Sequence, residues 1–213
     1  MAHKITDLEK NLSGITKDNY VDLPITSIVE SEHAAWGGNK ETNASVYPRL
    51  QAYWNYTIPN WQDWTPSSVP WSAAYISWIL RNQQFPKDAS HAAYSEKIIK
   101  SDGGWDAFSI PKTKDLKLQI GNVLVRPRSS SYTASHGDVV YKFEDGYALL
   151  SGGNVSDTAK IARRIKVDEN NYVIDEINDY KIILKKKSSG MSMSLIPILA
   201  FLVGTGVFVA MRK

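Results

Sequence analysis

The chain has 213 residues, of which 43% are hydrophobic and 11% aromatic, so it is long and apolar enough to bury a sizeable core and does not have the composition of a disordered polypeptide. Its formal net charge of +3 is small, and it has no arginine-rich helix or glycine-aromatic motif, which argues against nucleic-acid binding. Cysteine is absent, which excludes disulfides, thiolate metal sites and thiol catalysis.

The first half of the chain shows helical periodicity. Residues 1–25 are polar with scattered apolar positions, and we predict that they form an N-terminal arm without the apolar region of a signal peptide. A domain is predicted over residues 26–184, and Asp88 or Ser90 is the expected cap of its last helix. The predicted helices span residues 25–36, 44–56, 71–82 and 90–100.

After Lys112 the period changes from helical to strand-like. Short runs rich in β-branched and aromatic residues predict strands at 121–127, 137–143, 147–151, 159–167 and 172–175. Glu144-Asp145-Gly146 is predicted to form a hairpin turn between two of them. Helices followed by a meander of antiparallel strands predict an α+β fold.

The end of the chain differs in composition. From Ser194 to Met211 it reads SLIPILAFLVGTGVFVAM, without a charged residue, which is about the minimum length that crosses a bilayer. A basic and Ser/Gly-rich tether is predicted over 185–193, and Arg212-Lys213 close the chain. We therefore predict a transmembrane helix over 194–211 and a single-pass, tail-anchored membrane protein. A buried terminal helix is the alternative, although the segment leaves no polar face for water.

Ser72 is the candidate nucleophile. It follows the turn-forming run 65–70 and is predicted to lie in the first turn of a helix, where backbone N–H groups lack partners and the helix dipole is positive. An oxygen anion is stabilised at such a position. The alternative is that Ser72 is a small residue packed under Trp71 and Trp78, or a helix cap.

Two further polar residues stand at strand boundaries. His136 begins a predicted strand, and Asn154 follows the next strand. With Ser72 they are predicted to form a nucleophile, a base and an orienting group. The imidazole would take the hydroxyl proton while a side-chain oxygen fixes its tautomer.

The segment 70–78, which reads PWSAAYISW, resembles the "PWCAAFVSW" segment of NlpC/CHAP-like papain-fold peptidoglycan hydrolases, and it is closer to a branch that carries serine at this position. Further similar pieces follow in the same order over roughly residues 29–175: Arg49…Tyr53-Trp54, Phe85…Ser90-His91…Tyr94, Gly121–Val125…Arg128, Ser135–Val140 and Gly152–Asp157.

The resemblance implies an α+β, papain-like NlpC/CHAP fold in which N-terminal helices pack on a small antiparallel sheet. It places Ser72 at the position of the nucleophilic cysteine, His136 at that of the catalytic histidine and Asn154 at that of the third polar residue. The serine departs from the family, because a hydroxyl is a far weaker nucleophile than a thiolate. Gly121-Asn122 also stands where related sequences commonly have Gly-Asp.

Three aromatic or imidazole side chains are candidates for binding substrate. His91 is predicted to face the cleft near Ser72, with a hydrogen bond to the strand layer as the alternative. Trp64 and Trp71 belong to a concentration of tryptophans that could line a sugar-stacking groove or form core. No His/Asp/Glu spacing indicates a metal site, so we predict no metal and no cofactor.

Two functions are consistent with this sequence. The first is a membrane-anchored peptidoglycan hydrolase, an amidase or endopeptidase acting on wall peptides, with peptidoglycan and the lipid bilayer as partners. Its small size and lack of a signal peptide also suit a virion-associated lytic enzyme of a membrane-containing bacteriophage, with virion proteins as partners. The second is a catalytically inactive papain-like module that binds the wall or serves as a structural membrane protein of a virion.

Overall fold

The computed structural model describes residues 20–61, 69–101, 103–110, 116–128, 135–175, 177 and 179–188. Within them the protein is α+β, with four α-helices ahead of a six-stranded antiparallel sheet. The helices are α1 (Thr26–Trp36), α2 (Tyr47–Thr57), α3 (Ser72–Ile79) and α4 (His91–Lys100), and a 3₁₀ turn at Ala44–Val46 leads into α2. The strands are β1 (Trp105–Ser109), β2 (Val123–Pro127), β3 (Ser135–Glu144), β4 (Tyr147–Gly152), β5 (Lys160–Lys166) and β6 (Ile182–Lys186).

The sheet combines a meander with one long-range insertion. Its strand order is β1-β6-β2-β3-β4-β5, so β2 to β5 follow one another while β6 returns to lie between β1 and β2. The meander includes a tight hairpin, in which Glu144 pairs with Tyr147 across a turn with φ of +52° at Asp145 and +77° at Gly146. Two left-handed residues match the right-handed twist of the flanking strands, as the Asp-Gly sequence predicts.

The two faces of the sheet are covered by different layers. Val123 and Val125 of β2 belong to the core shared with the helices, whereas Leu124 between them belongs to a second core on the opposite face. This alternation is the period of a β-strand. The second core is closed by residues from the connections around the sheet: Leu116, Leu118, Val173, Ile177 and Tyr180.

Helix α3 is the centre of the helical layer. It packs against α2 on one side and against β3 and β4 on the other, and every residue except Trp78 is buried. The small side chains of Ala73 and Ala74 let the neighbouring elements approach closely. Gly153, which follows β4, lies directly on the helix, because a Cβ there would stand 2.5 Å from the Cβ of Tyr75. The first residue of α3 is therefore fixed in the interior of the domain.

A buried carboxylate joins three helices. Glu32 of α1 accepts hydrogen bonds from the Tyr53 hydroxyl at 2.6 Å, from Trp78 Nε1 at 2.9 Å and from Arg49 Nη1 at 3.2 Å. The Tyr53 hydroxyl in turn accepts from Trp36 Nε1 at 2.9 Å. A buried charge is tolerated only when it is paired and hydrogen-bonded, and this one is.

Replacing Tyr53 with phenylalanine is expected to lower the free energy of unfolding by about 1–3 kcal/mol, because Glu32 loses a donor and Trp36 loses an acceptor in the interior. Denaturant unfolding checks this. Tyr56→Phe is the matched control on the same helix, since its hydroxyl donates to Arg81 O over 3.4 Å from a half-buried position. An equal loss in both variants would contradict the special role of the Glu32 network.

The predicted domain limits shift at both ends. Leu23 and Ile25, assigned to an N-terminal arm, are buried in the core. Lys185, assigned to a tether, lies within β6, and its Nζ donates to Lys117 O at 2.8 Å. A run of lysines has the composition of a tether, and the strand partners that bury Lys185 are distant in sequence.

The fold-class prediction, which joined the α+β domain to a C-terminal transmembrane helix, is wrong. Across the described ranges, no helix combines the length and the apolar character that crossing a bilayer requires. The helices there are eight to eleven residues long, and a span needs about 20. The segment 194–211, on which the prediction rested, lies outside the described residues.

Candidate active site

A serine and a histidine meet at the starts of two helices. Ser72 is the first residue of α3, and its Oγ lies 2.7 Å from Nε2 of His91, the first residue of α4. Helix α4 begins there because the Ser90 side chain caps it, accepting from the Ala93 N–H at 3.4 Å. The other ring nitrogen of His91, Nδ1, is hydrogen-bonded to the Tyr94 hydroxyl one turn further along α4. Ser72, His91 and Tyr94 thus form one chain of hydrogen bonds.

Burial determines the protonation states of His91 and Tyr94. Ser72 is 5% exposed and His91 4%. Burial lowers the pKa of His91 well below its usual value of 6.5, and the neighbouring His136 and Arg128 lower it further. Burial also raises the pKa of the Tyr94 phenol well above 10.0, so Tyr94 keeps its proton. His91 is therefore a neutral imidazole at neutral pH.

A neutral imidazole at this position can hold its proton on either nitrogen. With the proton on Nδ1, His91 donates to the Tyr94 oxygen and Nε2 accepts the Ser72 hydroxyl proton, which is the arrangement of a nucleophile and its base. With the proton on Nε2, the bond to Ser72 runs the other way and the serine is only an acceptor. Tyr94 can serve as donor or acceptor, so it is compatible with both.

The start of α3 also supplies backbone donors. The first backbone bond of the helix runs from Tyr75 N–H to Trp71 C=O at 3.0 Å. The N–H groups of Ser72, Ala73 and Ala74 come before this bond and have no partner inside the helix. They form the positive end of the helix dipole, where a developing oxyanion is stabilised.

A second histidine lies beside the first. The ring centroids of His91 and His136 are 5.7 Å apart. His136 Nε2 donates to Asp138 Oδ1 at 2.9 Å, and Asp138 Oδ2 accepts from the Tyr180 hydroxyl at 2.6 Å. Arg128 Nη2 donates to His136 Nδ1 at 3.1 Å. Because arginine has no acceptor, the proton of His136 sits on Nε2 and faces Asp138.

Two glycines make room for these side chains. A Cβ on Gly137 would stand 2.6 Å from His91 Nδ1, and a Cβ on Gly152 would stand 2.2 Å from Asp138 Oδ1. Neither distance is possible for a real side chain, so the His91 ring and the Asp138 carboxylate lie directly on the backbone of β3 and β4. The sheet is shaped around the polar cluster.

The structure brings together only part of the predicted triad. Ser72 is at a helix start as predicted, but its imidazole partner is His91, which the sequence analysis assigned to substrate binding. His136 has both ring nitrogens engaged elsewhere. Asn154 lies in the loop after β4 with a left-handed φ of +57°. The group that orients His136 is Asp138, a role that the sequence analysis predicted for Asn154.

Sequence reasoning missed the residues that orient the two histidines. Asp138 stands two residues after His136 on a predicted strand, a spacing that puts both side chains on one face. Tyr94 stands three residues after His91 on a predicted helix, a spacing that makes them neighbours. These two spacings were the available signal. Arg128 belongs to a piece of the resemblance but was given no role, and Tyr180, far along the chain from Asp138, left no local signal.

Trp71, one of the tryptophans considered for a sugar-stacking groove, lies in the core. Trp71 is 1% exposed and stacks on Trp36, with centroids 4.6 Å apart and planes at 11°. Its Nε1 donates to Glu41 Oε2 at 2.5 Å. Trp71 is therefore core rather than a substrate-binding residue, and Trp64 lies outside the described residues.

Within the described part of the chain, no group of three or more His, Asp or Glu side chains is arranged to hold a metal ion. Comparison with known protein families finds no family model that matches the chain. None of the curated proteins matches it either. What the protein does is therefore inferred from its own residues.

Proposed function

We propose that the protein is a serine-dependent hydrolase that cleaves amide bonds in the peptides of peptidoglycan. The observation that carries this proposal is the 2.7 Å contact of Ser72 Oγ with His91 Nε2 at the start of α3. It supplies a nucleophile, a neutral base and backbone donors in one place. The substrate class is supported by the resemblance of segment 70–78 to NlpC/CHAP-like wall hydrolases.

The reaction is an acyl transfer through the serine. Ser72 Oγ attacks the carbonyl carbon of the amide while His91 Nε2 takes the hydroxyl proton. The carbonyl oxygen becomes an oxyanion that accepts from the N–H groups at the start of α3, which have no partner inside the helix. His91 then gives the proton to the leaving amine, and a water molecule hydrolyses the acyl-enzyme by the same steps in reverse order. Tyr94 holds the His91 ring throughout.

The neighbouring Arg128 suits substrate binding, and the buried His136 positions it. Arg128 is exposed, and its guanidinium contacts His136 Nδ1. An exposed arginine close enough to lower the pKa of His91 fits a carboxylate near the scissile bond, because guanidinium matches carboxylate in shape and charge. Wall peptides carry carboxylates at chain ends and on acidic side chains. Asp138 fixes His136 so that Arg128 is held at this position.

A non-catalytic binding module is the second candidate. The near-complete burial of Ser72 and His91 favours it, because a buried serine and imidazole satisfy each other's hydrogen-bonding groups. In that case the contact joins α3 to α4 as a structural bond, and the protein recognises wall peptides without cleaving them.

Two assays on the full chain test the proposal. The first incubates the protein with purified peptidoglycan and measures new amino and carboxyl ends. The second treats it with a fluorophosphonate, which reacts covalently with an activated serine, and maps the adduct by mass spectrometry. New ends together with an adduct on Ser72 support the hydrolase. If no new ends and no adduct form but the protein sediments with the wall, the result supports the non-catalytic binding module.

We expect kcat/KM for hydrolysis to stay constant as the pH is lowered from neutral to below 6.5. A base acts only in its deprotonated form, and the pKa of His91 is lowered well below 6.5 by burial, so the acid limb of kcat/KM moves to lower pH. Measuring kcat/KM from about pH 4.5 to about pH 8 checks this. An acid limb centred at or above pH 6.5 would mean that another group is the base.

A further inference from the structure

Two arginines and one carboxylate meet on the face of the sheet that carries the second core. Asp179, in the connection that leads into β6, forms ion pairs with Arg126 of β2 at 3.3 Å and with Arg163 of β5. Arg163 is opposite Leu150, a residue of the second core. Strands β3 and β4 lie between β2 and β5 in the sheet. Asp179 therefore joins two strands that are not neighbours.

These ion pairs hold the ring of Tyr180, the residue that follows Asp179. The guanidinium carbon of Arg126 lies 5.7 Å from the ring centroid and that of Arg163 lies 5.3 Å from it, within the range of cation–π contacts. Burial tends to raise the pKa of Asp179, but the hydrogen bond and charge of Arg163 and the charge of Arg126 lower it below its usual value of 3.8. The ion pairs are therefore present at neutral pH.

A chain of hydrogen bonds leads from Tyr180 to Arg128. The Tyr180 hydroxyl donates to Asp138 Oδ2 at 2.6 Å, and Asp138 Oδ1 accepts from His136 Nε2 at 2.9 Å. His136 Nδ1 then accepts from Arg128 Nη2 at 3.1 Å. Burial and the charge of Asp138 raise the pKa of the Tyr180 phenol above its ordinary value of 10.0, so the phenol keeps its proton and donates. The first three residues are buried, and Arg128 is exposed.

This chain restricts a side chain that would otherwise sample many rotamers. An exposed arginine loses side-chain entropy when it binds a ligand, and a side chain that is already held in place loses less. The contact of Arg128 with His136 uses one of the five N–H groups of the guanidinium. The guanidinium can thus be held by the buried imidazole and still present N–H groups to a carboxylate.

We propose that Asp179 and Tyr180 are positioning residues that set the affinity of Arg128 for a carboxylate of a wall peptide. The ion pairs of Asp179 hold the Tyr180 ring, and the Tyr180 hydroxyl holds Asp138. Asp138 in turn orients His136, on which the guanidinium of Arg128 rests. The role rests on the proposed function, because it requires Arg128 to bind the substrate. Neither Asp179 nor Tyr180 touches the substrate itself.

Titration calorimetry of the full chain carrying Ser72→Ala tests these roles, because that variant does not consume the ligand through the serine. The ligands are soluble wall peptides with free carboxyl groups and the same peptides after their carboxyl groups are converted to amides. The acids are expected to bind at least about tenfold more tightly than the amides. Asp179→Asn and Tyr180→Phe are each expected to weaken binding of the acids about threefold or more and to leave the amides unchanged.

Asp175→Asn is the matched control, since it removes the same charge from an exposed position in the same connection. It should leave binding of both ligands unchanged. Thermal unfolding checks the folding of each variant. The ion pairs of Asp179 are partly exposed, and such pairs contribute little to stability, so the Tm of Asp179→Asn should fall by no more than about 2–4 °C.

Arg128→Gln separates a positioning role from a general structural role. Alone, it is expected to reduce the affinity for the acids to that for the amides. In its presence Asp179→Asn should have no further effect, because the effect passes through Arg128. Weakening of acids and amides alike, additive losses in the double variant, or full affinity for the acids in both Asp179→Asn and Tyr180→Phe would overturn the proposal.

The binding measurements need no turnover, so a failure of the catalytic proposal is seen separately. If the native chain releases no new ends from peptidoglycan but the affinities follow the expected pattern, Ser72 is not a nucleophile and the positioning roles stand. If the native chain is active, Asp179→Asn should raise KM for the acids and leave kcat unchanged. Equal binding of acids and amides to the Ser72→Ala chain would show that Arg128 is not a carboxylate site and would overturn the positioning roles, whatever the turnover.

Discussion

Replacing Ser72 with alanine is expected to reduce the release of amino groups from wall peptides by roughly 10³-fold or more in kcat. The reason is that the acyl-enzyme forms on Ser72 Oγ, and water positioned beside His91 is a poor substitute for it. The loss should appear in kcat rather than in KM, since the hydroxyl contributes little to binding the ground state. Steady-state kinetics on a soluble wall peptide measure both.

Ser77→Ala is the matched control, because it removes a buried hydroxyl from the same helix. Ser77 Oγ donates to Asp88 O at 2.9 Å and accepts from Asp88 N–H at 3.1 Å, so its loss costs about 1 kcal/mol per bond in stability but leaves the nucleophile intact. Ser72→Cys should retain measurable turnover, since a thiol can also attack. Unchanged kcat in Ser72→Ala would show that the serine is not the nucleophile.

The elements that could be predicted from the sequence are those with local causes. Helix α4 begins where Ser90 caps it, and the β3–β4 hairpin turns where Asp145-Gly146 supplies two left-handed residues. Both depend on contacts within a few residues, so the pattern alone is sufficient. The central helix was predicted to continue to Asn82, but α3 ends at Ile79, and helix ends are the part that pattern determines least.

Strands β1 and β6 were missed because their pairing is not local. β1 and β6 are the first and last strands along the chain, and they pair with Trp105 opposite Lys186 and Ser109 opposite Ile182. A five-residue strand ending in lysines has no period that separates it from a basic loop. Only the insertion of β6 between β1 and β2 buries it, and that insertion is a property of the whole sheet.

Only part of the candidate site could be predicted from the sequence, because one of its contacts depends on packing between elements that are not neighbours in the chain. Ser72 and His136 are each predicted to begin an element, and in the structure each lies at the start of one, within the polar cluster. Which imidazole meets Ser72, however, depends on how α4 lies against α3. Gly137 allows the His91 ring to rest on β3 and reach the serine. No local pattern records that packing.

The two histidines are expected to differ in their effect on turnover. His91→Gln keeps an amide group near the position of Nε2, so the contact with Ser72 can persist, but an amide cannot take a proton. We expect it to lower kcat by about 10²–10⁴-fold, the range of general base catalysis. His136→Gln keeps a donor to Asp138 and leaves Ser72 and His91 in place, so we expect a loss of about tenfold or less, seen mainly in KM through Arg128.

Kinetics of both variants over the same pH range separate the two assignments. If His91 is the base, His91→Gln removes the acid limb below pH 6.5, while His136→Gln leaves it in place. If His136→Gln instead lowers kcat more than His91→Gln does, His136 is the base, as the sequence analysis predicted. It would require the His136 ring to release Arg128, since His136 Nδ1 accepts from that guanidinium at 3.1 Å. A substrate carboxylate that draws Arg128 away would then be part of catalysis.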